Sequence, residues 1–300
     1  MDQAKDKGAV EGLFLHRGIL LSKSFTTPEY IDSLEHFPVR DSDVYLFTYP
    51  KSGTIWMEQI LSLIYYEGYL NKTETTETIN RVPGLENNVR KVNFEQRPSP
   101  RLFGSHLPYY LTPRGLKEKK AKVIYVIRNP KDNLVSYYHF ECMLNQLAEE
   151  PIEKLEEFFE NYLAGKVHSS SWFDHVKGWY THKDEYNILF LQYEDMVKDL
   201  RGAVLKICNF VGKSLSDETV DAIVERASFK NMKTDPLANC EDLGEDLLHS
   251  PKKMTFLRKG TIGDWKNFLT VAQSERFDKV FQEKMKDLPI KFIWDINENI

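Results

Sequence analysis

The chain has 300 residues, which is room for one large domain or two ordinary ones with a sizeable core. Forty Lys and Arg against forty-five Asp and Glu leave a formal net charge of −5, so nothing global points to a nucleic-acid or membrane partner and any anion site must be local. The first residues, Met1 to Asp6, lack an apolar signal core, and no apolar run approaches the ~18–20 residues of a membrane helix.

After a short tail, about residues 1–12, the first strong signal is the apolar run Val44–Phe47, which reads as a buried strand. It feeds Thr48-Tyr49-Pro50-Lys51-Ser52-Gly53-Thr54-Ile55-Trp56, after which Met57, Ile60, Leu61, Ile64 and Tyr65 share a helix face. A strand that turns into a helix through Lys-Ser-Gly-Thr is suited to an anion. Free N–H groups and the helix dipole point at the ligand, Gly53 permits close approach, Lys51 adds charge, and Ser52 and Thr54 add hydroxyl donors. The lysine precedes a single glycine, so this is not a Walker A loop. Asn71-Lys72-Thr73 fits a glycosylation acceptor that a cytosolic chain would not use.

A second strand is expected over Arg101–Gly104, with Pro98, Pro100, Pro108 and Pro113 punctuating the loops around it and His106 just beyond it. The basic run Lys117–Lys122 reads as a solvated turn before a third strand, Val123–Ile127. Arg128 closes that strand, at the carboxyl end where α/β sheets bind ligands, and Ser136 lies two helical turns further on. After Pro151, Ile152, Leu155, Phe158, Phe159 and Tyr162 make a helical stripe. Ile188–Leu191 reads as a fourth strand. A helix from Leu200 to Val211 ends near Gly212, and Ser216-Asp217-Glu218-Thr219 caps another over Val220–Ala227. Asn231–Met254 has little periodicity and reads as a long mobile loop of the lid type. Leu257-Arg258-Lys259-Gly260 then sets two cations before a glycine, as in a phosphate or sulfate nest.

Strands alternating with helices, without repeats or a Gly/Ser linker, imply a single α/β domain over residues 1–300 with a central, mostly parallel sheet flanked by helices. Cys142, Cys208 and Cys240 are odd in number, far apart and without zinc spacing, as in an intracellular protein with reduced thiols. On the residues alone, a nucleotide-dependent phosphotransferase and a non-catalytic nucleotide-binding module remain alternatives. The lack of a Walker A loop or an evident magnesium carboxylate weighs against the first, and His106 together with Lys51 against the second.

Three segments jointly carry a family resemblance. Thr-Tyr-Pro-Lys-Ser-Gly-Thr-x-Trp at 48–56, Arg-Asn-Pro-Lys-Asp-x-x-Val-Ser at 128–136 and Arg-Lys-Gly-x-x-Gly-Asp-Trp-Lys at 258–266 resemble the signatures of cytosolic sulfotransferases. The resemblance runs from about residue 25 to 290 and implies a 3′-phosphoadenosine 5′-phosphosulfate (PAPS) donor, adenosine 3′,5′-bisphosphate as product and no metal. It makes the first segment a P-loop-like cradle in which Lys51, Ser52, Gly53, Thr54, Ile55 and Trp56 hold the 5′-phosphosulfate and flank the adenine. It assigns Arg128, Ser136, Arg258, Lys259 and Gly260 to the 3′-phosphate, with Phe256 and Leu257 beside them. Tyr193, Phe229 and the residues around Phe229 (Ala227, Ser228, Lys230, Asn231 and Met232) fall at the adenine.

His106 becomes the catalytic base that takes the acceptor's proton, and Lys51 neutralises charge on the bridging oxygen. The chain departs from the family pattern at Ile55, where many members have Thr or Asn, and at Gly104-Ser105, where phenol-type members carry Lys-Thr. It also lacks the aromatic often found in the run Gly165–Trp172. These departures lean toward hydroxysteroid or alcohol-type members. The implied acceptor is small and apolar, bearing a hydroxyl or an amine: a steroid, an alcohol or a phenol. Phe140 is its expected contact, with Phe25, Tyr109, Tyr110 and the Asn239–His249 loop as weaker candidates. Lys266, Thr270, Val271 and Glu275 fit the family's dimerisation motif, so a cytosolic homodimer is expected, with Lys266 paired to Glu275 of a partner.

Overall fold

The computed structural model describes residues 12–66, 75–88, 91–118, 120–144, 152–241 and 256–298. The described chain opens on an antiparallel hairpin, β1 (Leu13–His16) and β2 (Ile19–Ser22), which the sequence reading did not anticipate. The hairpin is fastened to a distant loop: Ser169 N–H donates to the Leu20 carbonyl at 2.8 Å, and Leu20 N–H donates to Ser170 Oγ at 2.8 Å. Helix α1 (Pro28–Leu34) follows, its N-terminus capped by the Thr27 hydroxyl.

The central sheet is parallel throughout. Strands β3 (Val44–Thr48), β4 (Leu102–Ser105), β5 (Lys122–Ile127) and β6 (Ile188–Gln192) lie in the order β4-β3-β5-β6. All five residues of β3 are buried, which is why its sequence lacks polar alternation. Val44, Leu46, Ile124 and Val126 face one apolar layer and Tyr45, Phe47, Val123 and Tyr125 the other.

The first layer holds α2 (Thr54–Tyr66), with a short helix, α3 (Thr78–Arg81), against it. The other holds α4 (Pro130–Leu144), α5 (Ile152–Leu163) and α6 (Trp172–Thr181). After β6 come α7 (Tyr193–Lys198), α8 (Leu200–Val211), α9 (Asp217–Arg226) and α10 (Phe229–Thr234), and α11 (Val271–Met285) closes the fold. The helices leaving β3 and β5 therefore go to opposite faces of the sheet. Between two such neighbouring strands a crevice opens at the carboxyl ends, the usual ligand position in open α/β sheets.

Two expectations are corrected. The second strand runs Leu102–Ser105, one residue later than expected, because Arg101 is drawn out of the pattern into a buried ion pair. Arg101 Nε donates to Asp43 Oδ1 at 2.9 Å and its Nη2 to the Pro38 carbonyl at 2.6 Å, and both side chains of the pair are fully buried. The start of the expected Asn231–Met254 loop is helical. Ser228 caps α10 by accepting from Asn231 N–H at 3.4 Å, a local device that outweighs the weak apolar period. Residues 242–254 of that loop, the Asn71-Lys72-Thr73 acceptor and the tail before residue 12 lie outside the described residues.

Removing one member of the buried pair strands the other charge, which costs about 3–5 kcal/mol. Asp43→Ala is therefore expected to lose about that much in urea unfolding; a loss below ~1 kcal/mol would contradict the role given to the pair.

Candidate active site

The turn between β3 and α2 is a forced conformation. Lys51 sits at φ 66° and Gly53 at φ 99°, and a Cβ on Gly53 would lie 2.8 Å from Tyr193 Cδ2. Position 53 therefore requires glycine for its backbone angle and for the ring beside it. Asn133, one turn into α4, fixes the loop. Its Nδ2 donates to the Pro50 carbonyl at 2.8 Å and to Ser52 Oγ at 3.0 Å, while its Oδ1 accepts from Tyr162 at 2.9 Å. Ser52 is consequently fully buried against Asn133 and does not line the cavity, unlike Lys51, Gly53, Thr54, Ile55 and Trp56.

That cavity measures about 270 Å³ and sits at the carboxyl ends of β3, β4 and β5. Lys51 enters it between two rings, its Nζ 4.4 Å from the Phe140 centroid and 5.3 Å from Phe256. Burial first, and then the charges of Arg128 and Arg258, together lower the Lys51 ammonium to a pKa of about 7. Arg128 is tied by Nη1 to the Lys51 carbonyl at 2.9 Å and lies over Tyr193 at 4.4 Å. Its Nε is buried without a partner.

Arg258 and Lys259 converge on Asp264 at 2.5 Å and 2.7 Å. Burial opposes ionisation of Asp264, but hydrogen bonds from Lys259, Asn267 and Arg258 bring its pKa down to about 2. Asp132 of α4 holds this segment in place by accepting from Gly263 N–H at 2.7 Å and Trp265 N–H at 2.9 Å. Ser136, Phe256, Leu257 and Gly260 line the same side.

An aromatic slot adjoins the cations. Trp56 donates from Nε1 to the Ala227 carbonyl at 2.7 Å and meets Tyr193 edge-on at 5.3 Å. Phe229 lies so close to Gly260, at φ 65°, that a Cβ there would stand 2.2 Å from Phe229 Cδ2. Tyr193, Phe229 and Met232 line the cavity, whereas Ala227, Ser228, Lys230 and Asn231 serve the surrounding backbone and do not.

His106 follows β4 and lines the cavity. Its Nδ1 lies 2.9 Å from the Thr48 carbonyl and 3.1 Å from Thr48 Oγ1. A carbonyl only accepts, so Nδ1 carries the proton and Nε2 keeps its lone pair. Its main-chain N–H donates to Glu86 Oε1 at 2.7 Å, and His175 Nε2 donates to its carbonyl at 3.1 Å.

Three further cavity residues gave no sequence signal: Glu58, Glu86 and His168. Glu58 lies among the apolar residues of α2, and burial, then the neighbouring Glu86, raises its pKa to about 8. Burial drops His168 to about 3, so it stays neutral. Phe140 and Phe25 line the cavity. Tyr109 does not; it stacks on His182 at 3.8 Å, outside the cavity, and Tyr110 is exposed beside it. Lys266 pairs with Asp295 of its own chain, Thr270 caps α11 in a capping box with Gln273, and Val271 is 76% exposed.

A parallel α/β sheet with a cation-lined crevice at a glycine turn, an aromatic slot and a histidine held by Nδ1 defines a group-transfer enzyme acting on an anionic nucleotide-like donor. The chain belongs to the sulfotransferase family: residues 41–289 match the model of the sulfotransferase domain. It is 55% identical over 283 residues to the amine sulfotransferase of Oryctolagus cuniculus, covering 94% of this chain and 93% of that protein. It is 41% identical over 271 residues to the 3-beta-hydroxysteroid sulfotransferase of Cavia porcellus, covering 90% and 93%. Among solved structures it is similar to mouse sulfotransferase SULT7A1 complexed with PAP, with a TM-score of 0.73, 31% identity and 92% and 95% of the two chains covered.

Lys51 titrates near 7 in the cavity, and an anion beside it must raise that value. Inorganic sulfate, which itself does not titrate here, is therefore expected to bind with proton uptake at pH 8 and to bind more tightly as pH falls from 9 to 7. Below about pH 6 Lys51 is charged in both states and the dependence vanishes. Calorimetry in two buffers of different ionisation enthalpy measures the uptake; zero uptake at pH 8 would remove Lys51 from the anion site.

Proposed function

We propose that the chain is a cytosolic enzyme that transfers a sulfonate from PAPS to the hydroxyl or amine of a small apolar acceptor. The observation that carries this reading is the meeting of Lys51, Arg128 and Arg258 with His106 Nε2 in one cavity, with Lys51 depressed by burial and by the two arginines and Arg128 Nε left without a partner. Those orphaned cations fit a donor with two anionic ends. Lys51, Gly53, Thr54, Ile55 and the loop held by Ser52 take the 5′-phosphosulfate. Arg128, Ser136, Arg258, Lys259 and Gly260 take the 3′-phosphate, whose charge competes with Asp264 for the last two cations. Trp56, Tyr193 and Phe229 enclose the adenine.

The donor supplies the sulfonate and leaves as adenosine 3′,5′-bisphosphate. His106 Nε2 receives the acceptor's proton as the acceptor atom bonds to sulfur, and the Thr48 carbonyl holds the ring in the tautomer that allows it. Lys51 faces the charge that builds on the bridging oxygen as its bond to sulfur breaks. Phe140 and Phe25 screen the acceptor side from water. The 41% identity to a hydroxysteroid sulfotransferase and the 55% identity to an amine sulfotransferase support an acceptor bearing either group.

Adenosine 3′,5′-bisphosphate at ~100 times its Kd is expected to stabilise the protein by about 2.7 kcal/mol, seen as a rise in Tm. His106→Ala is expected to lose ~10²–10⁴-fold in turnover while keeping that rise. No rise in the parent protein would refute the donor; unchanged turnover in His106→Ala would refute the base.

We also propose a two-fold contact through Lys266, Thr270, Val271 and Glu275, supported by the exposed Val271 at the start of α11. Forming it requires Lys266 to exchange Asp295 for a partner's carboxylate. Light scattering is expected to give a dimer that Val271→Glu converts to monomer; a monomeric parent protein would sink the contact.

A further inference from the structure

Position 104 has no side chain, and Glu58 uses the space. A Cβ on Gly104 would stand 2.4 Å from Glu58 Oε1, so the glutamate is seated where any larger residue would project. Gly104 and His106 belong to the same strand end, and both line the cavity together with Glu58, Glu86 and Asn87. The polar atoms of this corner are unevenly used. Glu86 is 1% exposed; its Oε1 accepts from His106 N–H, but its Oε2 has no partner. Asn87 Oδ1 is likewise buried without one. Buried acceptors left unpaired beside a reacting group call for a ligand that brings donors.

The chemistry of the two acceptor classes differs in the number of protons. A hydroxyl carries one, and His106 Nε2 takes it. An alkylammonium carries three, and two must leave nitrogen, one before it can attack sulfur and one after. We propose that Glu58, seated by Gly104 and backed by Glu86 Oε2 and Asn87 Oδ1, is a specificity-determining acceptor for N–H groups and gives this enzyme its preference for amines over matched alcohols. This rests on the sulfonate-transfer reading above. In the step so assigned, Glu58, raised to about 8 without the ammonium, gives its proton to solvent as the ammonium arrives, and one ammonium proton then passes to the resulting carboxylate, freeing the nitrogen lone pair. The N–S bond forms as the bond from sulfur to the bridging oxygen breaks. The second proton passes from nitrogen to His106 Nε2, and the remaining N–H is held by the corner's unpaired oxygens. An ammonium in the corner also relieves the repulsion that Glu58 and Glu86 exert on each other.

The test uses a pair of acceptors with one skeleton, 1-naphthylmethylamine and 1-naphthylmethanol, and reads the ratio of their kcat/KM values. The parent enzyme is expected to favour the amine. Glu58→Gln is expected to lower the amine-to-alcohol ratio at least tenfold, whatever happens to the absolute rates. Glu58→Asp, which keeps the carboxylate, is expected to retain more of the preference than Glu58→Gln. Gly104→Ala leaves Glu58 in the chain but displaces its carboxyl, and is expected to lower the ratio in the same direction, so the proposal stays testable if Glu58→Gln does not fold. Adenosine 3′,5′-bisphosphate stabilisation reports whether each variant is intact. A ratio unchanged within about twofold in an intact Glu58→Gln or Gly104→Ala variant would overturn the assignment alone. Absence of transfer to both acceptors by the parent enzyme would overturn the sulfonate-transfer reading and this inference with it.

Discussion

Four cations, Lys51, Arg128, Arg258 and Lys259, line one cavity, and Asp264 pairs with the last two of them. Lys51 is the centre of this arrangement: it is buried, ringed by Phe140 and Phe256, and repelled by Arg128 and Arg258. A fold tolerates such a cluster only where the surrounding structure leaves it no alternative. Here the constraint comes from α4, which reaches both sides of the crevice. Asn133 ties the β3–α2 turn, and Asp132 ties the Gly263–Trp265 segment that carries Arg258. Neighbouring residues of one helix thereby tie together the Lys51 turn and the segment that carries Arg258 and Lys259. In the proposed reaction, the repulsion among these cations would favour a doubly anionic donor.

The opposite wall has the reverse imbalance. Glu58 and Glu86 face the cavity with more acceptors than the protein supplies donors. Cationic and anionic corners thus share one volume of about 270 Å³, with His106 between them. In the proposed transfer, fields of opposite sign at the two ends of the cavity would favour movement of negative charge toward Lys51 and of protons toward His106 and Glu58.

Much of this was legible in the sequence, for physical reasons that can be named. Strands buried on both faces leave unbroken apolar runs, so Val44–Phe47 and Val123–Ile127 were found close to their limits, as was Ile188–Leu191, an equally unbroken run on a half-buried edge strand. Backbone cradles need a glycine beside cations, so Lys51–Gly53 and Arg258–Gly260 stood out. Residues that act through tertiary contact left no such mark. Glu58 is one polar residue in an apolar helix, and Glu86 follows Val82-Pro83-Gly84-Leu85 with no period at all. Arg101 read as part of a strand because its partner, Asp43, is 58 residues away. The hairpin Leu13–Ser22 is amphipathic over only four residues per strand, too short to separate from a tail. Tyr109 was placed at the cavity by proximity to His106 in sequence, but the turn after Pro108 swings it onto His182.

That hairpin has a consequence for anyone who shortens or tags the chain. Leu20 is bonded through both its N–H and its carbonyl to Ser170 and Ser169, which are held at positive φ and directly follow His168 on the cavity wall. Tyr49, at the root of the anion turn, donates to the Ser170 carbonyl at 2.7 Å and joins the same knot. A deletion that stops before Gly12 leaves this knot intact. One that passes Ser22 unties the wall behind His168 from a distance in sequence of almost 150 residues. The hairpin is therefore part of the cavity's architecture, and a truncation is better drawn ahead of it than after it.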